Sequence, residues 1–210
     1  RSNLDPIWIQ IGSRRTIQIG SRSEEQSPRM GNWWTDSYTL LYAVNRIIEG
    51  VMASDSLLDA DRDRFLGEAY FLRALFHFYL YQLYGKVPFV DSSDYVRNSN
   101  IQRNEIPYVH QRVVEDLEQA KELLSMETGN RLRPNYWVAV ALLARAHLYQ
   151  GEWEQAETEA VELIAHGGYP LAMDVGAVFL GDSPETLWQL GPISEGINTR
   201  EAFTFVFETA

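Results

Sequence analysis

The sequence predicts a mostly α-helical protein of antiparallel helical hairpins, with an irregular N-terminal segment and a short β segment near the C-terminus. Three observations predict it. Apolar residues recur at three- and four-residue steps in five successive stretches between about residues 32 and 168. Glycine and proline punctuate those stretches, where helices stop and start. Most turns between them are short, which favours antiparallel neighbours.

The chain divides into residues 1–31, 32–168 and 169–210. In the first part IQIGSR occurs twice, at Ile9–Arg14 and Ile17–Arg22. The two alternating runs read equally as a small hairpin or as an exposed loop. From Asn32, Trp34, Tyr38, Leu41, Asn45 and Ile48 mark one helix face, and Asp36 and Ser37 suit a first turn.

The second helix is expected from about Asp61 to Tyr84, with Phe65, Ala69, Leu72, Phe76, Tyr79 or Leu80, and Leu83 as its core stripe. A second stripe holds Tyr70, Ala74, His77 and Tyr81, and a third Phe71, Leu75 and Phe78. A helix apolar on all sides is buried on several. It is no membrane span, because Arg73, His77 and Gln82 interrupt a run that would need about 20 apolar residues. Nor is it a sugar-stacking platform, since its rings face every direction. Phe71, Phe76 and Tyr81 are therefore expected to be largely buried. Gly85 and Pro88 end the helix, and Lys86–Val90 reads as an extended exit.

After a polar loop, a third helix is expected from Pro107, burying Val109, Val113, Leu117, Ala120 and Leu124 and wetting Glu115, Glu118, Gln119 and Glu122. A fourth is expected from Pro134, with alanines at 139, 141, 144 and 146 permitting close approach. Trp153, Ala156, Ala160, Leu163 and Ile164 mark a fifth, ended by Gly167-Gly168. Leu187–Leu190 and Phe203–Phe207 read as strands. Leu143, Ala144, Gly151, Trp153, Ala156 and Ala160 fall near tetratricopeptide spacing, although His147 stands where that pattern has tyrosine.

Composition narrows the function. Hydrophobic content of 45% with 22% charged residues is that of a folded chain. The net charge of −11 makes nucleic acid an unsuitable partner, because phosphates require a basic face. Residues 1–30 carry +2 and the remaining 180 carry −13. There is no cysteine, so thiol and disulfide chemistry are excluded. The chain does not begin with methionine, and the lack of a signal peptide is uninformative.

One ordered series of motifs carries more. Glu68-Ala69-Tyr70-Phe71-Leu72-Arg73-Ala74 is followed by Leu83-Tyr84-Gly85-Lys86-Val87-Pro88-Phe89, then by Val114-Glu115-Asp116-Leu117, the run Ala141–Tyr149, Gly151-Glu152-Trp153 with Ala156, and Ser183-Pro184-Glu185 before Trp188. The series resembles the RagB/SusD-like family of outer-membrane nutrient-uptake lipoproteins, over roughly Trp34 to Leu190. The resemblance implies a tetratricopeptide-like scaffold on the cell surface, non-catalytic capture of an oligosaccharide or similar nutrient, and partnership with a TonB-dependent outer-membrane transporter. It implies membrane attachment only through a lipid anchor; the acylated cysteine that carries one is not in this sequence, nor is the family's C-terminal half. The alternative is a generic tetratricopeptide-type adaptor for another protein.

No catalytic constellation or cofactor motif is visible. His77, His110, His147 and His166 have no zinc-type spacing and are expected in structural or surface roles, so no metal is expected. Asp59-x-Asp61-x-Asp63 begins like a calcium loop, but Arg64 and Tyr70 stand where that loop needs glycine and glutamate, so it reads as an acidic helix start. Gly181–Glu185 lacks the last glycine of a hydrolase elbow and reads as a turn. Glu154, Glu157 and Glu162 read as solvated helix-face charges. Ligand binding falls to loop aromatics with polar neighbours: Trp8 as a ring, although tryptophan usually packs, Arg14, Arg15 and Arg22 as donors, and Tyr95 with Asn98 as a second place. Trp33 and Trp34 open a helix and are expected in the core.

Overall fold

The computed structural model describes residues 6–10, 16–21, 28–178 and 183–191. Of the two readings of the N-terminal repeat, the hairpin forms. Strands β1 (Pro6–Gln10) and β2 (Thr16–Ser21) pair antiparallel, with Trp8 opposite Gln18 and an irregularity between Pro6 and Trp8. Phe203–Phe207 lies outside the described residues.

Six helices follow among the described residues: α1 (Pro28–Met52), α2 (Asp59–Tyr84), the single turn α3 (Tyr95–Asn98), α4 (Ile106–Leu123), α5 (Tyr136–Gln150) and α6 (Trp153–His166). Each long helix packs on its predecessor: α1 on α2, α2 on α4, α4 on α5, α5 on α6. The helix ends follow local chemistry. Asp59 and Asp61 form the acidic first turn of α2. Helix α5 starts two residues after Pro134, because Asn135 takes the cap and accepts the Val138 N–H at 3.1 Å. A short 3-10 turn, Val175–Ala177, lies beyond α6.

The stripes expected on α1 and α4 are the buried ones: Trp34, Tyr38, Leu41, Asn45 and Ile48, and Val109, Val113, Leu117, Ala120 and Leu124. On α2 the first stripe is buried only at Ala69 and Leu80, and the second and third supply most of the other buried positions. Phe71, Ala74, His77, Phe78, Leu80 and Tyr81 are buried. Phe65, Leu72 and Phe76 are only partly covered, and Tyr79 and Leu83 are exposed. So Phe71 and Tyr81 are in the core and Phe76 is at its margin. The reason is tertiary: α1 and α4 both pack on α2, and Val44 and Ile48 of α1 close on Ala69 of the first stripe.

The fifth expected helix forms as α6 and ends at Gly167, but the residues that mark it are only partly covered. Ala156 and Glu159 are its buried residues, while Trp153 is 65% and Ile164 83% exposed. Among the described residues helix α6 is the last of the stack, and it packs on α5. Leu187–Leu190 is no strand either. It is an irregular strap whose Gln189 N–H donates to the Arg131 carbonyl at 2.9 Å, and Trp188 meets Phe71 edge-on at 5.4 Å. Its aromatic and aliphatic residues fit a half-buried surface, which is what strand propensity measures.

The α2–α4 crossing is close at Gly67. A Cβ there would sit 2.8 Å from Leu124 Cγ and 3.1 Å from Leu123 Cβ. Alanine is the better helix former by about 1 kcal/mol, yet Gly67→Ala should destabilise the protein by about 1–3 kcal/mol, because overpacking forces the leucines to move. Urea unfolding measures this; a gain in stability would show that the crossing is loose.

Candidate functional site

Five backbone groups of the segment after α2 are held by hydrogen bonds. The Val87 carbonyl accepts from the Asn104 N–H at 2.9 Å, and the Phe89 N–H donates to Asn104 Oδ1 at 2.9 Å. The Pro88 carbonyl accepts from the Tyr38 hydroxyl at 2.8 Å. The Val90 N–H donates to His77 Nε2 at 3.1 Å, and its carbonyl accepts from Asn45 Nδ2 at 3.0 Å. Phe89 stacks on His77 with centroids 4.2 Å apart.

A buried ion pair stands behind these bonds. Arg73 Nε and Nη2 donate to Asp116 Oδ2 and Oδ1 at 2.8 and 2.6 Å, and Nη1 donates to Asn45 Oδ1 at 3.1 Å. Burial works against both charges. It pushes the Asp116 carboxyl up against the pull of Arg73, while for Arg73 burial is the largest single effect but the Asp116 hydrogen bonds and the charges of Asp116, Tyr70 and Asp91 together outweigh it and raise the pKa. With both carboxylate oxygens on one guanidinium, the pair is ionised. His77 is neutral: Nδ1–H donates to the Arg73 carbonyl at 2.9 Å, and burial, then the Arg73 and Arg112 charges, lower its pKa to about 3.

This core fixes the loop that follows. Glu49 of α1 accepts from the Ser93 N–H at 2.8 Å, from the Ser92 hydroxyl at 3.1 Å and from the Ser93 hydroxyl. The Ser93 backbone bond leads the causes that hold the Glu49 carboxyl below its ordinary range. Asp94 caps α3 through the Val96 N–H at 2.8 Å, and Asp91 pairs with Arg97 and Arg112. The result is a stiff outward loop.

Tyr95 is 47% exposed at the start of α3. Asn98, three residues on, commits its Nδ2 to the Ser92 carbonyl at 2.7 Å, and its Oδ1 is buried without a hydrogen-bond partner among the described residues. Trp8 lies on β1. Arg14, Arg15 and Arg22 lie outside the described residues.

A second surface was not legible in the sequence. Trp33, expected in the core beside Trp34, is 37% exposed and meets Tyr79 edge-on at 6.1 Å. Arg145 Nη1 donates to the Tyr79 hydroxyl at 3.4 Å. Arg145 also borders a groove of about 480 Å³ between α5 and α6, lined by Leu148, Tyr149, Trp153, Ala156 and Ala160. Tyr79 and Trp153 had been assigned to helix stripes on periodicity, which cannot tell an unclasped stripe from a clasped one.

Residues 8–148 match a family model described as starch-binding associating with outer membrane. This chain belongs to the SusD-like family. A SusD-like protein of Formosa agariphila is 23% identical over 171 residues, covering 79% of this chain and 32% of the relative. One of Bacteroides ovatus is 27% identical over 172 residues, covering 72% and 31%. The solved structure of a SusD-like protein from Bacteroides fragilis has a TM-score of 0.72 and 26% identity, over 80% of this chain and 35% of that one. The chain thus spans about a third of the length of the SusD-like relatives it matches. The motifs by which it resembles SusD-like proteins, around Arg73, Pro88 and Asp116, are the buckle beneath the loop. Among the described residues no helix is long and apolar enough to cross a membrane.

Proposed function

We propose that this chain is the helical part of a non-catalytic cell-surface protein that binds glycan at the outer membrane and works with a TonB-dependent transporter. The observation that carries the reading is the match of residues 8–148 to a starch-binding, outer-membrane-associating family. Two solved neighbours support the ligand class: one is described as a laminarin-binding SusD-like protein, the other contains a xylogluco-oligosaccharide. The geometry adds a loop that is already ordered, so little conformational freedom is lost when a ligand settles on it. Rings for stacking are assigned to Trp8 and Tyr95, with donors from Arg14, Arg15, Arg22 and the Asn98 turn.

A second reading, a tetratricopeptide-type adaptor, draws on the apolar α5–α6 groove and its exposed Trp153. The two use different surfaces. In calorimetric titrations with laminarin, xyloglucan and starch oligosaccharides, Trp8→Ala or Tyr95→Ala should weaken binding up to about tenfold, on the roughly 0.5–1.5 kcal/mol of a ring contact. Trp153→Ala should leave it unchanged. Binding that survives both loop substitutions but falls with Trp153→Ala would move the site to the groove and favour the adaptor.

A further inference from the structure

Local spacing pairs none of the four histidines with a second ligand, but the fold brings two of them together. His110 comes from α4 and His147 from the last turn of α5. Gly151 ends α5 in the left-handed region (φ 79), and the Glu152 N–H donates back to the His147 carbonyl at 3.0 Å. That reversal lays the Glu152 carboxylate over both rings. Its Oε2 lies 2.6 Å from His147 Nδ1 and 3.0 Å from His110 Nε2, and the three donor atoms all fall within 4.8 Å of one another. The ring planes cross at 77°, so the nitrogens converge while the rings do not stack. The His110 and His147 side chains are 7% and 11% exposed and that of Glu152 37%, which leaves one open side.

A hydrogen-bonded clasp between α4 and the α5–α6 turn accounts for the packing. It does not draw on the chemistry of the donors. Two imidazoles and a carboxylate from three elements, open on one side, are the ligand set of three-coordinate protein zinc sites. Ligands about 2.0–2.2 Å from a tetrahedral zinc stand roughly 3.3–3.6 Å apart, so the two His–Glu152 separations need to open by about 1 Å or less and the His110–His147 separation, within 4.8 Å, to close by at most about 1.5 Å. The Tyr81 hydroxyl lies 3.4 Å from His110 Nδ1, where an outer partner would orient the ring.

We propose that His110, His147 and Glu152 form a Zn²⁺ site whose fourth position opens to solvent beside Glu152. In the clasp, His110 Nε2 and His147 Nδ1 carry the protons that face the carboxylate. To bind metal, each ring presents a lone pair there, and its proton moves to His110 Nδ1 or His147 Nε2 through solvent. His110 Nδ1–H then donates to Tyr81, which holds the ligating tautomer.

The test uses the 210-residue chain, stripped with chelator and titrated at neutral pH with Zn²⁺ by calorimetry and with Co²⁺ by visible absorption. One equivalent should bind, with the intense visible band of four-coordinate cobalt. Glu152→Gln, which keeps the side chain's shape, should weaken binding by at least about tenfold, and His147→Ala should abolish the band. Substituting the exposed His166 should change neither readout. Circular dichroism establishes that each variant is folded. A folded parent chain that binds no stoichiometric Zn²⁺ overturns the proposal, as does stoichiometric binding that survives both substitutions unchanged.

Discussion

Asp116→Ala should destabilise the protein by about 3–5 kcal/mol, the usual cost of removing one partner from a buried ion pair. Asp116 and Arg73 have side chains only 6% and 8% exposed. Without the carboxylate, the guanidinium keeps Asn45 Oδ1 as its side-chain hydrogen-bond acceptor and has little water to turn to. The effect should reach the loop, because Asn45 also holds the Val90 carbonyl. Urea unfolding gives the magnitude. Replacing both partners with apolar residues of similar volume, as in Arg73→Met with Asp116→Leu, should recover much of the loss, since no unpaired charge is left. A cost for Asp116→Ala below about 1 kcal/mol would mean that water reaches the pair, as it does at surface bridges.

The same pair shows where reading the sequence stops. The faces of α1 and α4 were legible because each carries one apolar stripe against a polar remainder. Helix α2 carries three, and periodicity cannot rank stripes when nearly every side is apolar. Which of them is clasped depends on where α1 and α4 lie, so Phe76 and Leu83 were overrated beside Phe78 and Tyr81. Arg73 read as an interruption of an apolar run, because its partner is 43 residues away on another helix. Trp153 marks α6 by its periodicity, but the sequence does not show that α6 ends the described stack and leaves that ring exposed. The loop at 91–104 was legible as polar and irregular. Its stiffness was not, because Glu49 and Asn45 reach it from the far end of α1. His110 and His147 failed to register for a similar reason: the contact between them belongs to the α4–α5 packing and to the turn at Gly151.

Mild acid should weaken this fold through His77. Burial, and then the charges of Arg73 and Arg112, lower its pKa from 6.5 to about 3 in the folded protein. The unfolded chain therefore takes up the proton first as pH falls, and the linkage has a definite sign. The His77 contribution to stability is complete above pH 6.5 and is lost progressively down to about pH 3. Each pH unit in that window is worth about 1.4 kcal/mol, so the loss is about 2 kcal/mol near pH 5 and approaches about 5 kcal/mol near pH 3. Carboxylates titrate over part of the same range, so the measurement is a difference. His77→Gln has no such titration and should cost stability at neutral pH, but the gap between it and the parent should narrow by about 2 kcal/mol between about pH 7 and about pH 5. A gap that stays constant would show that His77 is not held neutral. There is also a local signature. Protonation at Nε2 removes the acceptor of the Val90 N–H, and Val90 leads directly into the loop that Glu49 and Asn45 hold. The protection of the Val90 amide against hydrogen exchange, corrected for the slower intrinsic exchange at lower pH, should therefore fall over the same pH interval by more than that of core amides of α4. That would couple the protonation of one buried imidazole to the order of the loop that presents Tyr95.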